Sequence, residues 1–343
     1  MSDTLRVAIV GAGVIGAVHA RLTTRLGRAA TLAAIVDVDE AKARVLAAEY
    51  STRPYASTAE AYREEQIDVA AICLPSAYHA DAVVEALEAG TDVIVEKPID
   101  VTLDAADRVI AAERATGRTV SVVSQRRFQP VASFIHSSVT NGDLGRITSG
   151  VVESAFFRPQ EYYSSGDWRG TVEIDGGGAL MNQGIHALDL LLWMLGTPIS
   201  VSALTARLAH EGIEVEDVAG ATIRFDSGAI GLMLASTAAY PGLPVRLAVH
   251  GDAGTAVMEN DGLSFFESAS AARPSADALT ESDVPDGWTD VDVAHHRQYL
   301  DVLDAIRTER RPAITTADGR RALQVVLAVY ESARTGQPVD LRQ

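Results

Sequence analysis

Short apolar runs rich in β-branched residues alternate with amphipathic stretches through the first third of the chain. Strands are predicted at Arg6–Val10, Leu32–Val36, Val69–Leu74, Val93–Val95 and Thr119–Ser124. Helices are predicted at Gly16–Leu26, Asp39–Tyr50, His79–Ala89 and Leu103–Thr116, the last two ended by Gly90 and Gly117. Continuous apolar strands alternating with helices predict a doubly wound parallel sheet covered on both faces. Near Gln125 the rhythm changes. A helix over Val131–Thr140 is followed by longer runs at Ile147–Phe157, Ile199–Ala209, Val218–Phe225, Ala229–Thr237, Val245–His250 and Ala256–Glu259. Turn signals such as Asp226-Ser227-Gly228 separate them, which predicts an antiparallel, meander-like sheet. One strong helix, Leu180–Leu195, interrupts it, Ser268–Gly287 reads as an exposed loop, and helices at Val291–Thr308 and Ala317–Thr335 close the chain. The expected fold class is α/β. Residues 1–124 form the parallel domain, and 125–343 form an α+β domain with a large, mainly antiparallel open sheet. The terminal helices 291–336 are placed near the domain junction.

At 343 residues and 47% hydrophobic, the chain has enough apolar material for two cores. A formal charge of −17 argues against nucleic acid and anionic membrane as partners, since both need a basic surface. Cys73 is the only cysteine, which excludes an internal disulfide and a thiolate metal cluster. No basic start leads into an apolar signal region and no apolar run approaches membrane length, so a cytoplasmic protein is expected.

Gly11-Ala12-Gly13-Val14-Ile15-Gly16 follows the first strand and opens the first helix. The first glycine permits the tight turn, the second a close approach to pyrophosphate, and the third close helix–strand packing. Asp37 ends the second strand 21 residues after Gly16, where a carboxylate can accept hydrogen bonds from the ribose hydroxyls and repel a 2′-phosphate. No arginine directly follows Asp37, so the expected cofactor is NAD rather than NADP. Glycines used only for packing in a cofactor-free domain are the alternative.

Of 29 basic residues only Lys42 and Lys97 are lysines. Lys97 closes Val93-Ile94-Val95-Glu96-Lys97-Pro98, at the end of a buried-type strand. An amine can exchange a proton near neutral pH and a guanidinium cannot, which makes Lys97 a candidate acid/base group. A strand-end lysine snorkelling to solvent is the bland reading. A second informative stretch runs from Asp175-Gly176-Gly177-Gly178 into the apolar helix. The glycines there suit a close approach of backbone to a ligand, and Asn182, His186 and Asp189 share one helical face. A polar stripe on so apolar a helix is hydrogen-bonded or functional. A core histidine satisfied by Asp189 is the alternative, and no further residue nearby has metal-ligand spacing, so no metal is expected.

These residues together resemble the Gfo/Idh/MocA oxidoreductases, the family of glucose–fructose oxidoreductase and inositol dehydrogenase. The resemblance covers essentially the whole chain. It rests on the N-terminal glycine motif, Leu74-Pro75-Ser76 to His79, Glu96-Lys97-Pro98, the glycine run into Asn182–His186, and the closing helices. It implies a Rossmann domain that places a dinucleotide across the sheet's C-terminal edge. It also implies a substrate-binding second domain whose antiparallel sheet joins a homodimer or homotetramer. By the same resemblance, Gly11, Gly13, Val14, Ile15, Gly16, Asp37, Leu74, Pro75, Ser76, His79, Glu96 and Lys97 contact the cofactor. Lys97 stabilises the reacting oxygen, and His186 takes the hydroxyl proton. Many members carry aspartate where this chain has Asn182, which cannot supply a negative charge to His186. Asparagine resembles the branch that oxidises sugar rings, including glycosides and nucleotide sugars.

Substrate-side candidates are Gln125, Arg127, Trp168, Arg169, Asn182, His186 and His296; a tryptophan stacks on a sugar ring while arginine bonds its hydroxyls, and surface packing is the alternative for each. No Lys/Arg cluster marks a phosphate site, so a neutral polyol is expected. The leading expectation is therefore an NAD-dependent dehydrogenase acting on a secondary ring hydroxyl of a sugar, glycoside or cyclitol. An NAD-retaining glycosidase or eliminase and a non-catalytic sugar or NAD sensor are the alternatives.

Overall fold

A computed structural model describes residues 4–166, 168–280 and 284–342. The elements in chain order are β1 (Leu5–Val10), α1 (Val14–Thr23), β2 (Ala30–Val36), α2 (Glu40–Glu49), β3 (Arg53–Tyr55), α3 (Thr58–Glu64), β4 (Val69–Ile72), α4 (His79–Glu88), β5 (Asp92–Val95), α5 (Leu103–Thr116) and β6 (Val120–Val122). Then come α6 (Pro130–Thr140), β7 (Ile147–Ala155), α7 (Gln160–Tyr163), a π turn at Leu180–Gly184 running into α8 (Ile185–Leu195), and β8 (Pro198–Ala206). After them follow β9 (Val218–Phe225), β10 (Ile230–Ser236), β11 (Arg246–Gly251), β12 (Gly254–Glu259), β13 (Gly262–Ser268), α9 (Asp290–Thr308), α10 (Thr316–Thr335) and β14 (Val339–Asp340). Among the described residues no helix is long and apolar enough to cross a membrane.

The chain forms two compact units. The first joins the chain up to Gln125 with Asp292–Arg320. Its six strands run in the order β3-β2-β1-β4-β5-β6, all parallel. This is a Rossmann sheet, whose ligands sit at the carboxyl ends of the strands. Val7 and Ile9 of β1, Ile35 of β2 and Ile94 of β5 share one core with Tyr299, Val302 and Leu303 of α9. Polar cap chemistry closes the helices. The Ser57 side chain accepts the Glu60 N–H at the start of α3, and Thr102 does the same for Ala105 at α5.

The second unit is Arg126–Val291 with the chain from Arg321 on. Its eight-stranded sheet has the order β13-β12-β11-β7-β10-β9-β8-β14. The sheet is mainly antiparallel but is not one meander. Two meanders, β8-β9-β10 and β11-β12-β13, flank β7, which pairs antiparallel with β11 and parallel with β10. Alternation within each strand cannot reveal this order, because both kinds of neighbour present the same period of two. α8 packs on one face of the sheet. Glycine lets it approach: a Cβ at Gly150 on β7 would lie 2.8 Å from Leu191 and Leu195 of α8. On β10, Gly231, Met233 and Ala235 are buried, while Ile230, Leu232 and Leu234 alternate with them on the other face, 47%, 46% and 39% exposed.

Candidate active site

In the first unit, Gly11-Ala12-Gly13-Val14-Ile15-Gly16 joins β1 to α1 as the spacing predicts. Gly11 has φ +105°, and a Cβ there would lie 2.6 Å from the Cys73 carbonyl oxygen. A Cβ at Gly16 would lie 1.8 Å from the Gly11 oxygen, so only glycine permits this turn. Val14 is 83% exposed at the mouth of the turn, with Gly13 exposed and Ile15 partly so. Asp37 stands beside it: one carboxylate oxygen accepts the Ala12 N–H at 2.7 Å and the other the Asp39 N–H at 2.8 Å. Two side-chain-free glycines at a helix N-terminus, next to a carboxylate at the end of β2, fit a dinucleotide pyrophosphate and ribose.

Leu74 and Pro75 are partly exposed after β4, and Ser76 starts a short turn into α4. His79 is 1% exposed; its Nδ1 lies 2.7 Å from the Pro98 carbonyl oxygen and its Nε2 2.8 Å from that of Leu74. Burial pushes its pKa down against these two carbonyls, which favour the protonated ring. With both nitrogens committed to backbone, His79 ties the Leu74 loop to the Lys97-Pro98 turn. From Thr91 to Asp100 every residue is buried except Lys97, which reaches solvent at the end of β5. Glu96 before it is buried, and its Oε2 accepts the Lys97 backbone N–H at 3.1 Å. Gln125 ends the first segment of this unit, buried, and its Oε1 has no hydrogen-bond partner among the described residues. His296 is half-buried on α9, and burial lowers its pKa against a hydrogen bond with the backbone at Arg25, which favours the protonated ring. The neighbouring His295, not singled out by the sequence, is the histidine directed to Glu96. Its signal lay in the buried face of α9, where it precedes Tyr299 by one turn.

In the second unit, from Gly177 to Leu192 every residue is buried except Asn182 and His186. The predicted three-residue stripe is therefore two residues long. The π turn sets the path of the chain between Asn182 and His186, and Asp189 is turned inward. Asp189 is held by Arg127, Nε to Oδ2 at 2.8 Å and Nη2 to Oδ1 at 2.5 Å. Arg127 thus anchors α8, with its guanidinium 5.4 Å from the Trp193 ring centroid. The Asn182 amide donates to Asp175 Oδ1 at 2.8 Å and to the Gly177 carbonyl at 3.0 Å. The glycine run is explained by protein neighbours. A Cβ at Gly177 would lie 2.2 Å from the Tyr330 hydroxyl, and one at Gly178 1.7 Å from the Glu216 carbonyl oxygen.

Glu216, which the sequence did not single out, accepts the N–H groups of Gly178 at 2.9 Å and Leu180 at 2.8 Å and the Tyr330 hydroxyl at 3.1 Å. Burial raises its pKa against those donors. Its partners lie far away in sequence, so no local pattern announces it. Trp168 and Arg169 adjoin: the Arg169 guanidinium lies 4.5 Å from the ring centroids of both Trp168 and Tyr162, and its Nη1 donates to the Tyr162 hydroxyl at 2.9 Å. Gln183 Nε2 donates to the same hydroxyl at 3.2 Å.

Comparison with known proteins agrees with this geometry. Residues 5–124 match the oxidoreductase family profile with an NAD-binding Rossmann fold, and residues 134–257 match the GFO/IDH/MocA C-terminal domain. The chain is 26% identical to scyllo-inositol 2-dehydrogenase (NAD(+)) of Bacillus subtilis (strain 168), over 99% of this chain and 97% of that protein. Among solved structures it resembles the WlbA dehydrogenase of Bordetella pertussis, in complex with NADH and UDP-GlcNAcA, at 29% identity and TM-score 0.89 over 99% of both chains. It also resembles GenD2 from gentamicin A biosynthesis, in complex with NAD, at 26% identity and TM-score 0.82, over 100% of this chain and 98% of that one. A glycine turn only glycine can make, a carboxylate beside it at the end of β2 and profile matches in both halves lead to one conclusion: the chain belongs to the GFO/IDH/MocA family of NAD-binding oxidoreductases.

Proposed function

We propose that this oxidoreductase oxidises a secondary ring hydroxyl of a sugar, glycoside or cyclitol, with Lys97 and His186 as its acid/base pair and NAD preferred over NADP. The observation that carries the reading is the pattern of exposure. Lys97 alone breaks the buried run Thr91–Asp100, and Asn182 and His186 alone break the run Gly177–Leu192. Long buried segments that surface only at an amine, an amide and an imidazole expose chemistry rather than packing.

Bound NAD supplies the hydride acceptor. Lys97 donates a hydrogen bond to the substrate oxygen and steadies the charge that grows there as its proton leaves. His186 accepts that proton, a step suited to imidazole at neutral pH. Asn182, with its amide already spent on Asp175 and Gly177, presents its carbonyl oxygen to a substrate hydroxyl or to His186. Trp168 and Arg169 supply a flat apolar face and a fork of donors, the pairing that suits a sugar ring. Gln125 and Arg127 shape the protein around the ring, Arg127 through Asp189. The relatives support the substrate class: one is an inositol dehydrogenase and another was crystallised with a nucleotide sugar. The single, buried Cys73 suits the cytoplasm. The exposed apolar stripe on β10 suits a homodimer or homotetramer formed through the sheet.

The test is reduced-nicotinamide absorbance with NAD against inositols, hexoses, methyl glycosides, anhydrosugars and nucleotide sugars, for the native protein, Lys97→Ala and His186→Ala. Native protein should reduce NAD with one ring class. Both variants should lose about 100-fold or more in turnover while NAD affinity stays within a few-fold. Near-normal turnover in either variant would overturn the acid/base assignment.

A further inference from the structure

Next to Lys97 lies a buried polar cluster that takes no part in the proton transfer just described. It draws on three elements of the first unit: α1 brings His19, the end of β5 brings Glu96, and α9 brings His295 and Tyr299 one turn apart. His19, His295 and Tyr299 are 1%, 5% and 1% exposed, and Glu96 6%. The Glu96 carboxylate is held at both oxygens, Oε1 by His19 Nε2 at 3.1 Å and Oε2 by the backbone N–H of Lys97 at 3.1 Å. The other nitrogen of His19, Nδ1, lies 2.7 Å from the Tyr299 hydroxyl. The His295 ring stands edge-on to His19, with centroids 5.8 Å apart.

The donors can be assigned from chemistry. An ionised carboxylate only accepts, so His19 Nε2 carries the hydrogen, while Nδ1 and the Tyr299 hydroxyl share the second hydrogen bond. The line Tyr299 to His19 to Glu96 is thereby satisfied without any further ligand. His19, Glu96 and His295 have the donor set of a zinc site, with ligand atoms within 4.8 Å of one another. An ion there would have to take the place of the hydrogen bond His19 already makes to Glu96.

The titratable groups facing Glu96 are His19, His295, Lys97, Cys73, His79 and Tyr299. Burial pushes the Glu96 carboxyl up. The His19 hydrogen bond and the charges of His19, Lys97 and His295 outweigh burial and hold it well below the usual carboxylate range. It is a buried anion in a fixed place.

We propose that His19 is a positioning residue for Lys97: oriented by Tyr299, it locks the Glu96 carboxylate beside Lys97, and this fixed anion governs the charge environment of the Lys97 amine. The catalytic meaning of this link rests on the role given to Lys97 above; the electrostatic link itself does not.

Because the chain has only two lysines, Lys42 and Lys97, the link can be read directly. Lysine labelled with 13C at Cε gives two signals that report amine ionisation, and Lys97→Ala assigns them. In Glu96→Gln the pH midpoint of the Lys97 signal should move down by about one unit, since an opposite charge nearby favours the charged form, while Lys42 stays put. His19→Ala, which lets the carboxylate turn, should move it the same way by a smaller step. His19→Gln, which keeps a donor towards Glu96, should restore the native midpoint. Tyr299→Phe removes one hydroxyl without a cavity and serves if His19→Ala fails to fold. With substrate, His19→Ala should lower kcat about tenfold or more with NAD affinity within a few-fold, and His19→Gln should recover most of it. An unmoved Lys97 signal in both Glu96→Gln and a folded His19 or Tyr299 variant overturns the proposal, whatever Lys97→Ala does to turnover. A shifted signal together with normal turnover in Lys97→Ala upholds the link and overturns the catalytic reading instead.

Discussion

Arg127 grips Asp189 through two parallel hydrogen bonds, and the two side chains are only 8% and 6% exposed. This pair ties the segment that opens the second unit to the middle of α8. The guanidinium also lies near the face of Trp193, on whose ring His136 stacks with centroids 3.8 Å apart. Removing either partner leaves a buried charge uncompensated. Arg127→Ala and Asp189→Ala should each cost about 3–5 kcal/mol in denaturant unfolding, whereas Arg127→Met with Asp189→Leu should recover much of that loss. Single losses below about 1 kcal/mol, the range of exposed pairs, would contradict the buried pairing.

The buried anion at Glu96 sets a pH signature for stability. Its folded-state pKa is depressed from the ordinary 4.5, so its contribution is complete above that value. The contribution is lost as pH falls below 4.5 towards the folded-state value. Urea midpoints at neutral pH should be higher for the native protein than for Glu96→Gln, and the gap should close as the medium is acidified. A gap constant down to pH 3 would mean that Glu96 is not held ionised.

The proposed preference for NAD over NADP places cofactor choice at Asp37. It already accepts two backbone N–H groups, and its remaining lone pairs suit ribose hydroxyls while its charge repels a 2′-phosphate. Asp37→Ala should narrow the ratio of NAD to NADP affinity about tenfold or more, measured by quenching of protein fluorescence. An unchanged ratio would remove Asp37 from the ribose site.

The outward stripe of β10 predicts self-association. Ile230, Leu232 and Leu234 form one apolar row on the sheet face opposite α8. Leu232→Asp combined with Leu234→Asp should lower the mass seen by light scattering to that of one chain, with circular dichroism unchanged. An unaltered mass would place the interface elsewhere.

Much of this was legible in the sequence, for reasons that can be named. The first unit's strands are continuous apolar runs because helices cover both faces, so β1, β2, β4 and β5 stand out. Lys97, Asn182 and His186 were legible as polar interruptions of apolar runs, and those interruptions are where the chain surfaces. β3 and α3 were missed. Arg53-Pro54-Tyr55 is short and carries a proline, and Thr58–Glu64 offers one buried residue, Ala61, although Ser57 and Glu60 did mark its start. β13 was missed because its residues at the edge of the sheet are mostly exposed. The placement of β7 between the two meanders and the pairing of Arg127 with Asp189 depend on contacts far apart in sequence, which periodicity does not encode. The adjacent histidines of α9 show the same limit: which of His295 and His296 faces inward is decided by the phase of the helix.

The core of the first unit takes Tyr299, Val302 and Leu303 from α9, a helix that follows seven of the eight strands of the second sheet in the chain. On the ribosome, therefore, the nucleotide-binding half waits. Its strands emerge first, yet its core closes only after residue 303, once β7 to β13 of the second sheet have been made. A chain cut short before Asp292 keeps the glycine turn and Asp37 but leaves the apolar partners of α9 bare, the kind of surface chaperones and proteases engage. A chain released there should be degraded rather than persist as a free nucleotide-binding half.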